Sequence, residues 1–124
     1  MLAGTAFQKY GQELDKHQQT LLGLSDMMIE VYFAESTLLR TIKNINRGLD
    51  MTHQTDMAKL YVFEATETVI RKSKETIGNI AEGEAQTNLL KSVHHLCRYK
   101  YLPDVIGLKN RIAEKVISEN NYCF

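Results

Sequence analysis

The sequence predicts an all-α protein, a four-helix up-down bundle with two long helices and two shorter ones. Three observations lead there. Proline occurs once and glycine seven times in 124 residues, too few turn formers for a β-sandwich that reverses direction roughly every ten positions. Apolar residues recur at steps of three and four instead of alternating. Hydrophobic residues make up 44% and charged residues 24% of the chain. That suffices for one compact domain, 1–124, and not for a nucleotide-binding domain with a separate substrate domain.

The first helix is expected over 13–46. Its seam reads Leu14, Leu21, Leu24, Met28, Val31, Glu35, Leu38, Ile42 and Ile45, the stripe of an amphipathic helix packed near-parallel to its neighbours. At 1.5 Å per residue it would be roughly 50 Å long. Asn44, Asn46 and Gly48 supply the stop, because glycine adopts the left-handed cap conformation without penalty. The second helix, 52–82, starts at Asp50 or Thr52, both good caps. Its stripe is Val62, Ala65, Val69, Ile77 and Ile80, interrupted by Ser73. After Gly83 the third helix covers 84–98, with Leu89, Leu90, Val93, Leu96 and Cys97 inward. The single proline, Pro103, suits a first turn, so the fourth helix runs 103–118, packing through Val105, Ile106, Leu108, Ile112, Val116 and Ile117. Residues 120–124 are expected as a short tail.

Charge and cysteine content narrow the function classes. Fifteen basic and fifteen acidic side chains cancel, leaving no overall basic field for nucleic acid. Cys97 and Cys123 are too few for a disulfide framework, which fits a reduced, intracellular setting. The opening residues lack a basic n-region and a long apolar stretch, so no signal peptide is expected. No apolar run is long enough to span a membrane.

Few residues can carry chemistry. Glu-x-x-His, the signature of di-iron bundles, is absent. Glu13 with His17 and Asp50 with His53 are isolated pairs, read as a helix-surface pair and a helix start. His94, His95 and Cys97 fall short of the four ligands of a structural zinc unless Cys123 joins them. Cys97 with His94 lacks an orienting third group and an oxyanion hole. Phosphate-cradling glycine loops are missing, and the six tyrosines form no stacking stripe. No catalytic, cofactor-binding or metal residue is therefore expected on this chain. Glu35 interrupts an apolar seam, where a carboxylate is costly unless paired. A buried pair with Arg71 that fixes helix register is the favoured reading over a catalytic carboxylate. From Lys91 onward the chain carries a net charge of +3, against −3 before it. Lys91, Arg98, Lys100, Lys109, Arg111 and Lys115 offer a basic surface that would suit an anionic membrane or acidic partner, although a solvated helix face is the commoner origin of such a pattern.

Several strings occur together: Lys9-Tyr10-Gly11, then Tyr32-Phe33-Ala34-Glu35-Ser36, Leu38-Leu39-Arg40-Thr41 with Lys43, and Arg111-Ile112-Ala113-Glu114-Lys115-Val116-Ile117. In combination they resemble the helical region at the C-terminus of acyl-CoA dehydrogenases of the very-long-chain, bacterial fatty-acid-degrading type. Members commonly carry Tyr-Ala-Met-Glu-Ser where this chain has Phe33 and Ala34. The resemblance implies a fragment of a larger, FAD-dependent enzyme of fatty-acid β-oxidation. Its FAD site, acyl-CoA pocket and catalytic glutamate would lie in the preceding dehydrogenase core. No catalytic or FAD residue carries over to this chain, and Glu35 matches a glutamate without an implied catalytic role. The module is associated in that family with dimer packing and membrane-surface attachment, so the implied setting is cytoplasmic and peripheral to the inner membrane surface.

The expected function is a non-catalytic helical module that packs beside the dehydrogenase core. The alternative is a free-standing adaptor whose groove binds a partner helix. Helices three and four are too short to cover the long hairpin, so its remaining seam is expected to meet a second copy as a homodimer.

Overall fold

The computed structural model describes residues 1–120, and every regular element among them is helical. The expectations for Cys123 and the last residues of the tail fall on 121–124, outside the described residues. The elements are α1 (Leu2–Tyr10), a 3-10 turn (Gly11–Lys16), α2 (Gln18–Asn46), α3 (Thr52–Ile80), α4 (Gly83–Leu96) and α5 (Val105–Glu119). The all-α class is as expected. The count of four helices is corrected to five, because α1 precedes the first long helix. Leu2 and Ala6, one helical turn apart, are 7% and 0% exposed, so this short segment is held by burial.

The long helices also begin and end where local chemistry dictates. Gly11 sits at φ +57 and the Tyr10 ring stacks on His17 at 3.6 Å between centroids. Helix α2 therefore starts at Gln18, five residues later than expected. Gly48, at φ +80, closes the turn after α2. The Asp50 carboxylate then accepts from the Thr52 N–H at 3.2 Å and the Thr52 hydroxyl at 2.7 Å. Pro103 is not in the first turn of α5. Asp104 is its cap, with Oδ1 accepting from the Gly107 N–H at 3.0 Å.

Two compact units share these elements. Unit 1 comprises Met1–Val31 and Thr66–Tyr99, and unit 2 comprises Tyr32–Ala65 with the chain from Lys100 onward. The core of unit 1 is Leu2, Ala6, Leu24, Met27, Ile77, Ile80, Ala81 and Val93. Here α2 and α3 run antiparallel and close together. A Cβ on Gly23 would lie 3.2 Å from the Thr76 hydroxyl, and the buried Ser73 hydroxyl donates to Met27 Sδ at 3.2 Å. Asn79 ties three elements at one point: its Oδ1 accepts from Thr20 Oγ1 at 2.6 Å and from Tyr10 Oη at 2.9 Å, and its backbone carbonyl accepts from Lys9 Nζ at 2.9 Å. In unit 2 the buried side chains are Thr41, Asp56, Ala58, Ala65 and Leu108.

The inward face of α2 differs from the expected seam. Leu24 is buried as expected, but the other buried side chains are Thr20, Met27 and Thr41, whereas Met28, Val31, Leu38, Ile42 and Ile45 are exposed. The helix is rotated by about one residue relative to the expectation. Small and hydroxylated side chains let α3 approach, and their polar atoms find partners close by: the Thr41 hydroxyl donates to the Thr37 carbonyl at 2.9 Å. Along α3 the stripe is as read, with Ser73 included in it. Leu96, Ile106, Val116 and Ile117 are exposed instead of inward.

Candidate functional site

The C-terminal half of α2, in unit 2, carries Leu38, Leu39, Ile42 and Ile45 with 43–58% of each side exposed. These positions recur at three- and four-residue steps and so share one face of the helix. Glu35 lies on the same face and is itself exposed. The expected buried charge is thus corrected. With the helix turned so that Thr37 and Thr41 approach α3, position 35 points away from the packed side and its carboxylate keeps its water. Arg71, in unit 1, is exposed too and pairs with Glu75 one turn ahead on α3 at 3.3 Å.

The other flank of this half of α2 borders a groove of about 700 Å³. Its α2 side is formed by Tyr32, Phe33, Ser36, Thr37, Arg40, Thr41 and Asn44, and its α3 side by Met51, Gln54, Met57, Ala58 and Tyr61. Tyr32 and Phe33 meet edge to face at 5.6 Å. Thr37, Thr41 and Ala58 are small, which is why the trough exists.

Helix α5 is fastened to α3 on a different side. Arg111 donates from Nε to Asp56 Oδ2 at 2.9 Å and from Nη2 to Oδ1 at 3.0 Å, a two-pronged geometry that suits the planar guanidinium. These bonds hold the Asp56 carboxyl below the usual carboxylate range. Lys109 Nζ lies 3.5 Å from Glu64, and Lys115 Nζ lies 3.0 Å from Glu119. Half of the expected basic surface is therefore neutralised within the chain. Of the rest, Arg98 adjoins His95 at 3.4 Å, and Lys91 and Lys100 are exposed.

The residues with catalytic potential are scattered. His94 and His95 are exposed on α4 and Cys97 is half-buried, where desolvation raises its thiol pKa and keeps it protonated. The Tyr99 hydroxyl donates to Glu67 at 2.7 Å; burial and then this carboxylate push its ionisation well above the ordinary phenol range. Among the described residues no three His, Cys, Asp or Glu side chains converge on a point that could hold a metal. Arg40 and Asp56 are the site residues the sequence reading missed. Asp56 and Arg111 are 55 positions apart, and no local spacing signals their pairing.

The described residues thus define an all-α class of protein, with an exposed apolar face and a side groove on α2. The sequence model for the acyl-CoA dehydrogenase C-terminal domain matches residues 1–95. This chain belongs to that family. A probable acyl-CoA dehydrogenase of Bacillus subtilis (strain 168) is 30% identical over 122 residues, covering 97% of this chain and 20% of the relative. The crystal structure of an acyl-CoA dehydrogenase complexed with FAD from Bacillus anthracis superposes with a TM-score of 0.93 at 33% identity, covering all of this chain and 22% of that one. The chain thus spans about a fifth of the length of these relatives.

Proposed function

We propose that this chain is the non-catalytic C-terminal part of a longer, FAD-dependent acyl-CoA dehydrogenase of fatty-acid β-oxidation, and that it serves packing and oligomerisation. The observation that carries this reading is the exposed face of Leu38, Leu39, Ile42 and Ile45. Full burial of an exposed Leu or Ile is worth about 1.5–3 kcal/mol, so these half-exposed side chains would each gain roughly half of that, and a contiguous apolar strip of this kind is seldom left in water. Flavin binding and acyl-CoA oxidation belong, in this reading, to the dehydrogenase core that precedes the module. Peripheral membrane docking is the weaker role, because Lys109, Arg111 and Lys115 already bond carboxylates and an anionic lipid surface would have to compete for them.

The coding sequence decides between module and free-standing adaptor. A dehydrogenase core upstream in the same reading frame is expected, and its absence favours the adaptor. Purified chain should be colourless and inactive toward acyl-CoA with an electron acceptor; bound FAD with turnover would overturn the non-catalytic assignment.

A further inference from the structure

The groove on the opposite flank of α2 takes no part in that apolar face. We propose that it is a binding site for a carboxylate-headed amphiphile, with the carboxylate on Arg40 and the apolar tail lying toward Phe33. This inference does not rest on the assembly reading. Arg71 and Arg111 bond carboxylates; Arg40, like Arg47 and Arg98, has no carboxylate within ion-pair reach among the described residues, and it alone of these three lines the groove. A guanidinium offers a planar fork that matches a carboxylate, and here it stands at the edge of a trough.

Among the described residues, Arg40 is the one charged side chain on the groove and lies toward the C-terminal end of α2 with Asn44, Gln54 and Met51, whereas the aromatic Tyr32 and Phe33 lie at the other end beside Ser36 and Thr37. One cationic end and one aromatic end suit a ligand with a charged head and an apolar tail. A docked helix would instead need an apolar run along the whole length. Arg40 and Phe33 are two helical turns apart, roughly 10 Å along the axis, which suits a tail of medium length. Thr41 spends its hydroxyl on the Thr37 carbonyl, so it adds no unsatisfied donor to the floor, and Met57 supplies an adaptable wall. The volume of about 700 Å³ is typical of small-molecule sites.

The probe is sodium decanoate, titrated into the full 124-residue chain below its micelle concentration and followed by NMR, with 1-decanol as the uncharged control. Decanoate should saturate at one per chain and shift the Met57 methyl and the Phe33 and Tyr61 rings. Arg40→Met should weaken decanoate roughly tenfold, the loss of one charge-assisted bond, and leave decanol unchanged. Arg40 is exposed, so this variant should fold. Failure to saturate, shifts confined to unit 1, or an equal effect of Arg40→Met on acid and alcohol would each overturn the proposal. So would dilution-dependent shifts at Phe33 and Tyr61 without ligand, which would mean that a second copy occupies the groove.

Discussion

Asp56 is 6% exposed, and a carboxylate so far from water keeps its charge only when it is bonded. Arg111 supplies two hydrogen bonds, and they are the first cause of the lowered Asp56 pKa. A depressed folded-state value adds stability above the unfolded carboxylate pKa, and that stability is lost as pH falls through the folded value. Asp56→Ala should cost about 2 kcal/mol near neutrality, measured by urea unfolding. The gap between wild type and variant should hold above roughly pH 5 and narrow below the unfolded carboxylate pKa, near pH 4; a gap independent of pH would refute the charge-based account. Glu35 behaves in the opposite way because it is solvated. Glu35→Leu should change stability by less than about 0.5 kcal/mol in the same assay, whereas a gain or loss of several kcal/mol would mean that the carboxylate is buried after all. No feature of the seam around Glu35 in the sequence distinguishes an exposed carboxylate from a buried one, since both occupy the same helical spacing.

The elements were legible in proportion to how local their causes are. Gly48, Asp50 and Thr52 write the α2–α3 turn within five residues, and its position was readable. The start of α5 depends on which of two adjacent residues does the capping. The Asp104 side chain bonds the Gly107 N–H, and a Cβ at residue 107 would collide with that same carboxylate. Asp104→Ala should therefore cost about 1 kcal/mol. Gly107→Ala should be destabilising beside Asp104, and neutral or stabilising in the Asp104→Ala background, where about 1 kcal/mol of helix propensity is released. Thermal unfolding of the two single variants and the double closes this cycle. Additive effects would show that the two residues do not compete for the same space. Helix α1 was missed because its only strong signal is two buried residues one turn apart, and burial is decided by what lies across from them.

At the scale of the whole molecule, association is the property to measure. The chain is expected to form a homodimer at micromolar concentration in sedimentation equilibrium, through the face that carries Leu38 and Ile42. Ile42→Glu should yield a monomer with an unchanged circular dichroism spectrum, because Ile42 is 43% exposed and lies off the side packed against α3. A wild-type monomer, or a dimer indifferent to this substitution, would remove that face from the interface. Neither result bears on decanoate binding, which is read at the other flank of α2.

Composition, the step of the apolar pattern and the capping residues determined that the described residues are helical and that α2 and α3 are long. The quoted strings also placed it beside the acyl-CoA dehydrogenases, and the match over residues 1–95 bears that out. Tertiary structure alone decided which face of α2 turns inward. An amphipathic stripe records that a face will be covered, without saying by what. In this chain the close approach of Gly23 to Thr76 favours small side chains at the helix contact. Leu24 and Met27 stay in the core, whereas Leu38, Leu39, Ile42 and Ile45 are turned outward.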